Sequence, residues 1–264
     1  INRRANTSEL RVEVFGISGE LLGRTTQPLP GYGSRVFILD GMAKQDYYGL
    51  LKTSTPTEGL STTDVRCIVV SSRDRNGVNA NGRDFMYSVP MSKPLYSKTG
   101  GTINSMNPTG GSEETFNYIT LSNPTLNDIE LRIDVMDALG NEIPSQSGSV
   151  VIPPNGRWDH PVAHVAGQQI GQYSITPRVG DGYLAYLSRY GRNSKNELTW
   201  ASVTPSQGQT RKKAIVPITT TVGAIDWLEL ANPSSADVTA DVVVTNRFGE
   251  VKFEDTIALK PFEQ

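Results

Sequence analysis

A single cysteine, two histidines and a formal net charge of −2 across 264 residues remove several kinds of chemistry at the outset. Cys67 has no second cysteine to pair with, so neither an intrachain disulfide nor a thiolate metal cluster can form; within Val65–Val70 it reads as a small buried hydrophobe. So little cysteine suits the cytosol, and it suits equally a secreted chain whose domains are large enough to stand without cross-links. The balanced charge offers no basic field for nucleic acid or for an anionic membrane, and both are set aside as partners. No run of about twenty apolar residues occurs, so no membrane span is expected. No secretory leader is visible, and a chain that opens on Ile1 rather than Met reads as processed or as a fragment. The sequence also lacks GxSxG, GxxxxGKS/T and GxGxxG, the loops that build nucleophile elbows, phosphate cradles and dinucleotide sites. Apolar residues nowhere keep a three-and-four spacing over ten positions, so little or no helix is expected.

What is abundant is turn formers. Gly 25 and Pro 16, beside 37% hydrophobic and 20% charged residues, describe a folded chain cut into many short elements, the balance of an all-β protein. The stretch FNYITLSNPTLNDIELRIDVMDALGNEIPSQSGSVVIPP, Phe116–Pro154, recurs at Ile225–Lys260 and again at Asn6–Pro30. Each copy has an Asn-led turn, an alternating apolar strand, a Gly turn, a second strand and then a Pro. Glu9–Val14 lies over Glu130–Val135, while Gly19 falls on Gly140 and Gly140 on Gly249. Downstream, Tyr48-Gly49 matches Ile170-Gly171, Ser72-Arg73 matches Ser188-Arg189, and Ser88-Val89 matches Ser202-Val203. Two units and part of a third result, with expected divisions 1–112, 113–223 and 224–264, and residues 113–223 are expected to fold alone.

Short alternating runs between turns place the strands. In unit one these are residues 9–15, with Leu10, Val12 and Val14 inward, then Leu21–Leu29, Arg35–Leu39, Tyr48–Ser54, Val65–Ser72 and Phe85–Val89. The segment Lys93–Gly111, rich in Ser, Thr, Gly and Pro, reads as a connector without a core strand. Unit two gives Tyr118–Leu121, Ile129–Met136, Ser149–Ile152, a segment around Trp158, Gln172–Thr176, Tyr183–Arg189 and Trp200–Thr204. After a polar connector at Ser206–Lys213 comes Ile215–Pro217, and the partial unit begins at Trp227–Leu230.

The run Trp227–Pro233, the alternating Val242 and Val244, Gly249, and in the fuller copy Pro153-Pro154-Asn155-Gly156 resemble the tandem Ig/fibronectin-like β-sandwich repeats of bacterial secreted and cell-surface proteins. The resemblance covers most of the chain and rests on turn residues; unit one departs from it with Asn6-Thr7 in place of Asn-Pro. It implies two tandem antiparallel β-sandwich domains plus a partial third repeat, in a spacer, adhesin stalk or surface-layer component that is extracellular or at the cell surface.

Three clusters could carry chemistry. Asp159, His160 and His164 have zinc-like spacing, but Pro161 stands between the histidines in a segment that reads as strand and turn, and structural histidines explain the letters as well. The loop Asp74–Asp84 offers oxygen donors to calcium, and a solvated hairpin rich in Asn and Gly accounts for the same residues. Tyr183, Tyr186 and Tyr190 could form a glycan platform or pack in core and rim. Asn6-Thr7-Ser8 fits a glycosylation sequon. None of these is assigned as a catalytic, cofactor-binding or metal site, and no cofactor is expected. The expectation is a non-enzymatic structural or assembly protein acting through self-assembly or neighbouring domains, with a glycan-binding or adhesin module as the alternative. The surplus strand pair Asp237–Lys260 is expected to be buried against a neighbouring subunit or a further unit.

Overall fold

The protein is seen in a computed structural model that describes all residues except 2–4, 37–38, 40–41, 43–48, 56–67, 75–82, 104–113, 163–169, 193–197 and 209–227; side chains at 68–87, 90, 114, 170 and 198–199 are also outside the description. Apart from one 3-10 turn at Pro144–Gln146, the regular elements described are strands. Unit one holds β1 (Ser8–Phe15), β2 (Leu21–Leu29), β3 (Leu50–Ser54), β4 (Ile68–Asp74), β5 (Arg83–Pro90) and β6 (Thr99–Thr102). Unit two holds β7 (Glu114–Ser122), β8 (Ile129–Asp137), β9 (Gly148–Ile152), β10 (Arg157–Val162), β11 (Ile170–Val179), β12 (Leu184–Arg192), β13 (Leu198–Pro205) and β14 (Gln207–Gly208). The last unit has β15 (Val238–Thr245) and β16 (Val251–Leu259).

Unit two is built as two antiparallel sheets, β10-β7-β12-β13 and β14-β6-β11-β8-β9. Strict alternation aims one face of each strand inward, and the inward residues of both sheets make one core. Ile119 and Leu121 from β7, Ile129, Leu131, Ile133 and Val135 from β8, and Ile175 from β11 all belong to it. Burial of each such aliphatic side chain contributes about 1.5–3 kcal/mol. Unit one has a three-stranded sheet, β2-β1-β3, and the β4–β5 pair, with a smaller core around Leu10, Val12 and Leu29. The last unit is a two-stranded sheet, β15-β16.

Four expectations need correction. The segment read as a connector supplies β6, which pairs with β11 in unit two, and the residue after it, Ile103, is fully buried in that unit's core. Its glycines serve close approach rather than turning: a Cβ at Gly101 would stand 2.9 Å from the Tyr173 hydroxyl. Second, Arg35, Val36 and Leu39 are not in a strand, and Val36 is 92% exposed. Third, Leu228–Leu230 is not in a strand. One cause covers both. In unit two the corresponding strands β10 and β7 pair with each other, and among the described residues neither Arg35, Val36 and Leu39 nor Leu228–Leu230 has such a ladder partner, without which a strand has little reason to form. Fourth, Val14 is only half-buried, because a register shift between Val14 and Phe15 turns Phe15 inward. The repeat register also carries Asn123 onto Asn2 rather than Asn6, and Asn2, like Cys67 and Ile215–Pro217, lies outside the described residues.

Because β6 lies before residue 113, a fragment of residues 113–223 loses one strand and the Ile103 side chain from its own sandwich. A fragment of residues 93–223 should melt roughly 10 °C or more above it. Thermal melts of the two followed by circular dichroism test this; equal melting temperatures would mean β6 contributes nothing.

Candidate functional site

The residues singled out for chemistry are mostly engaged in holding the fold. Asp159 accepts from Arg157 Nε at 3.0 Å and Nη2 at 2.9 Å, and His160 Nε2 donates to the Gln146 carbonyl at 2.7 Å. As neighbours on β10 they point to opposite sides of the sheet. His164 and residues 75–82 of the Asp74–Asp84 loop lie outside the described residues. Among the described residues no three His, Cys, Asp or Glu gather as a metal would require. Tyr183 is fully buried, its hydroxyl 2.7 Å from Thr99 Oγ1 and donating to the Ser97 carbonyl at 2.8 Å. Burial pushes its phenol up, against the pull of the Thr99 contacts. Tyr186 is buried and Tyr190 stands edge-on to Tyr118, so the three tyrosines share no exposed platform.

The feature the molecule repeats is a junction between units. Each unit has a hairpin turn closed at the same place: Gly16 N–H to Glu20 O at 2.8 Å, Asp137 to Asn141 at 2.8 Å, and Asn246 to Glu250 at 2.9 Å. Each turn keeps a glycine at positive φ, 87° at Gly19, 88° at Gly140 and 84° at Gly249. In the second turn the Asp137 carboxylate accepts the Leu139 and Asn141 N–H groups; burial would raise its pKa, but the bonds from Asn141, Leu139 and Gly140 hold it below the ordinary range. In the last, the Asn246 amide oxygen does the same for Phe248 and Glu250.

Each unit also has a second turn, after its second strand, that repeats a left-handed residue: Tyr32 at φ 52°, Asn155 at 58° and Phe262 at 59°. Neither Tyr nor Phe favours this region, so the conformation is held by the surroundings. The closing bonds match as well, Gly33 N–H to Pro30 O at 3.0 Å, Gly156 to Pro153 at 2.9 Å and Glu263 to Lys260 at 3.1 Å.

The first kind of turn docks on the second kind of the next unit. Arg157 N–H donates to the Ile17 carbonyl at 2.9 Å, and one unit later Gln264 N–H donates to the Ala138 carbonyl at 3.2 Å. A Cβ on Gly19 would overlap the Pro154 carbonyl oxygen, and one on Gly140 would stand 2.5 Å from that of Pro261. Glycine is therefore required twice over, for its φ and for the approach. Side chains reinforce the first junction: Lys52 Nζ donates to the Pro124 carbonyl at 3.1 Å and to Asn155 Oδ1 at 2.8 Å, and Arg157 Nη1 reaches the Gly49 carbonyl at 3.3 Å. At the second, Gln172 Nε2 donates to the Asn232 carbonyl at 3.1 Å, while Glu229 accepts from Thr102 Oγ1 at 2.7 Å and faces Arg189 at 3.7 Å. Burial lowers the Arg189 pKa and Glu229 raises it. A cleft here, lined by Met136, Gln172, Tyr173, Ser174, Pro233 and Phe262, is closer to the size of a water than of a substrate.

The sequence shows the glycine turn in every unit and the second turn in units one and two, but not their contact, which joins residues more than a hundred positions apart. The available signal was that glycine and the following turn recur together.

No protein-family model matches the chain, and no curated protein matches it. The solved structure described as Thermotoga maritima 1070 is similar over 42% of this chain and 93% of that one, at 14% identity and a TM-score of 0.33, a level of likeness that carries no argument.

Proposed function

We propose that the protein is a non-enzymatic structural element of the cell exterior, an Ig/fibronectin-like repeat chain whose copies join head to tail into a filament, sheath, stalk or surface layer. The support lies in the contrast between β8 and β15, the same strand of successive repeats. Ile129, Leu131, Ile133 and Val135 are at most 1% exposed, whereas Val238, in the place of Ile129, is 40% exposed. Among the described residues Ala240, Val242 and Val244 are only half-buried, and Phe253 on β16 is 52% exposed. A two-stranded hairpin with such a face is marginal in water and gains by packing against another body. Unit one and the last unit also hold strand-like positions, Arg35, Val36 and Leu39 and Leu228–Leu230, that have no ladder partner among the described residues. A second copy meets both needs through a heterologous contact, and such contacts propagate unless a rotation closes them.

The test is light scattering and negative-stain microscopy on the chain with and without Ala224–Gln264. The full chain should gain mass with concentration and form elongated particles; the truncated chain should stay monomeric with its upstream units folded. A full chain that remains monomeric at high concentration overturns the proposal, and retention of that monomer by a polysaccharide column would favour an adhesin module instead.

A further inference from the structure

Both internal junctions use one contact, and among the described residues the last unit and unit one each leave half of it uncovered. At Gly249 no described atom lies within 4 Å of an added Cβ, in contrast with Gly19 and Gly140, whose approach space is filled by the next unit. At the other end Tyr32 is 73% exposed, while Asn155 and Phe262 in the same left-handed position are partly covered by the preceding unit. The carbonyl that corresponds to Ile17 and Ala138 is that of Arg247, and the N–H that corresponds to Arg157 and Gln264 is that of Ser34. Among the described residues neither backbone group makes a hydrogen bond.

We propose that the Asn246–Glu250 turn of one molecule docks on the Pro30–Gly33 turn of a second copy, so that the contact joining units within the chain also joins chains. This rests on the head-to-tail assembly proposed above and names its contact. The Ser34 N–H donates to the Arg247 carbonyl of the other copy, and the free space over Gly249 receives the carbonyl of the residue before the left-handed one, Gly31, as the space over Gly19 receives that of Pro154. One hydrogen bond and one close backbone contact give little affinity by themselves. Their part is to fix the rotation of one copy on the next, while burial of the hairpin face supplies the attraction. The glycine makes the fit selective, since a side chain there fills the space the carbonyl needs.

Two variants of the full chain test this. Gly249→Asn keeps a residue tolerant of positive φ but adds a Cβ; assembly should then require at least about tenfold more protein, with the melting curve little changed. In a Cys67→Ser background, Ser34→Cys with Arg247→Cys should yield a ladder of disulfide-linked multimers on oxidation, because backbone groups in hydrogen-bond contact bring the two Cα atoms within disulfide reach. Ile17→Cys with Arg157→Cys, at the internal junction, should instead close within one chain and calibrates the geometry. If the parent assembles, the internal pair closes, and yet the terminal pair gives no ladder while Gly249→Asn assembles normally, the contact is elsewhere and this inference falls while assembly stands. If the parent does not assemble at all, the proposed function falls and takes this contact with it.

Discussion

Replacing Val135 with Asp is expected to unfold the second unit. Val135 is fully buried near the end of β8, opposite Tyr173 of β11 on one side and bonded on the other to the Ser147 hydroxyl and the Ile143 N–H, so an aspartate there has no route to water. An unpaired buried charge costs several kcal/mol, a large part of the roughly 5–15 kcal/mol that holds a domain together. Trp158 and Trp200 lie on β10 and β13, unit one contains no tryptophan, and the third, Trp227, belongs to the last unit, so in a Trp227→Phe background tryptophan fluorescence reports on unit two. Val135→Asp should shift the emission to the red and remove its cooperative melt. Val12→Asp, at a position 2% exposed in unit one, should lower the far-UV signal and leave that melt in place. Val243→Asp, at a position 50% exposed, should change stability by no more than about 0.5 kcal/mol. A native melt for Val135→Asp would mean that the inward face has been misassigned.

The second large effect is expected at Asn123. Its side chain is fully buried, donating to the carbonyls of Asn127 at 2.7 Å and Ile152 at 2.9 Å and accepting from Thr125 N–H at 2.9 Å and Thr125 Oγ1 at 2.7 Å. One amide thus ties the end of β7, the start of β8 and the end of β9. Asn232 repeats the pattern, donating to the Ala236 and Lys260 carbonyls and accepting from Ser234. Asn123→Leu has similar bulk but takes the amide donor from the buried Ile152 carbonyl, at about 1–3 kcal/mol, and leaves the half-buried Thr125 and exposed Asn127 to each other, since the Thr125 hydroxyl also donates to the Asn127 carbonyl at 3.0 Å. The variant should lose about 2 kcal/mol in urea unfolding. A loss under about 1 kcal/mol would show that water replaces the amide freely.

The Asn-Pro pairs were legible in the sequence as turn punctuation, and β8 as an alternating strand, because both signals are local. That those asparagines also reach the Ile152 and Lys260 carbonyls was not legible, since these partners lie about thirty residues away and are backbone atoms. The same limit explains β6. Thr99-Gly100-Gly101-Thr102 has no apolar alternation, and only the presence of β11 makes a strand of it. Arg35, Val36 and Leu39 and Leu228–Leu230 fail in the opposite sense: their letters suit a strand, but they have no ladder partner among the described residues. The candidate chemistry at Asp159 and His160 dissolved for a further reason. Residue type shows what a side chain could do, and here the nearest partners, Arg157 and the Gln146 carbonyl, had already engaged both.

The crossing of β6 into the sheet of unit two has a consequence for how such a chain could have grown. The repeating segment, taken as residues 1–112, ends after its own β6. The body that packs around one core begins with the β6 of the segment before. Genetic copy and folded body are therefore out of phase by a strand. A recombination event that inserts or removes one unit keeps every sheet whole only when it cuts ahead of that strand, near the start of Lys93–Gly111, and a cut at the end of the same segment orphans one strand in each neighbour.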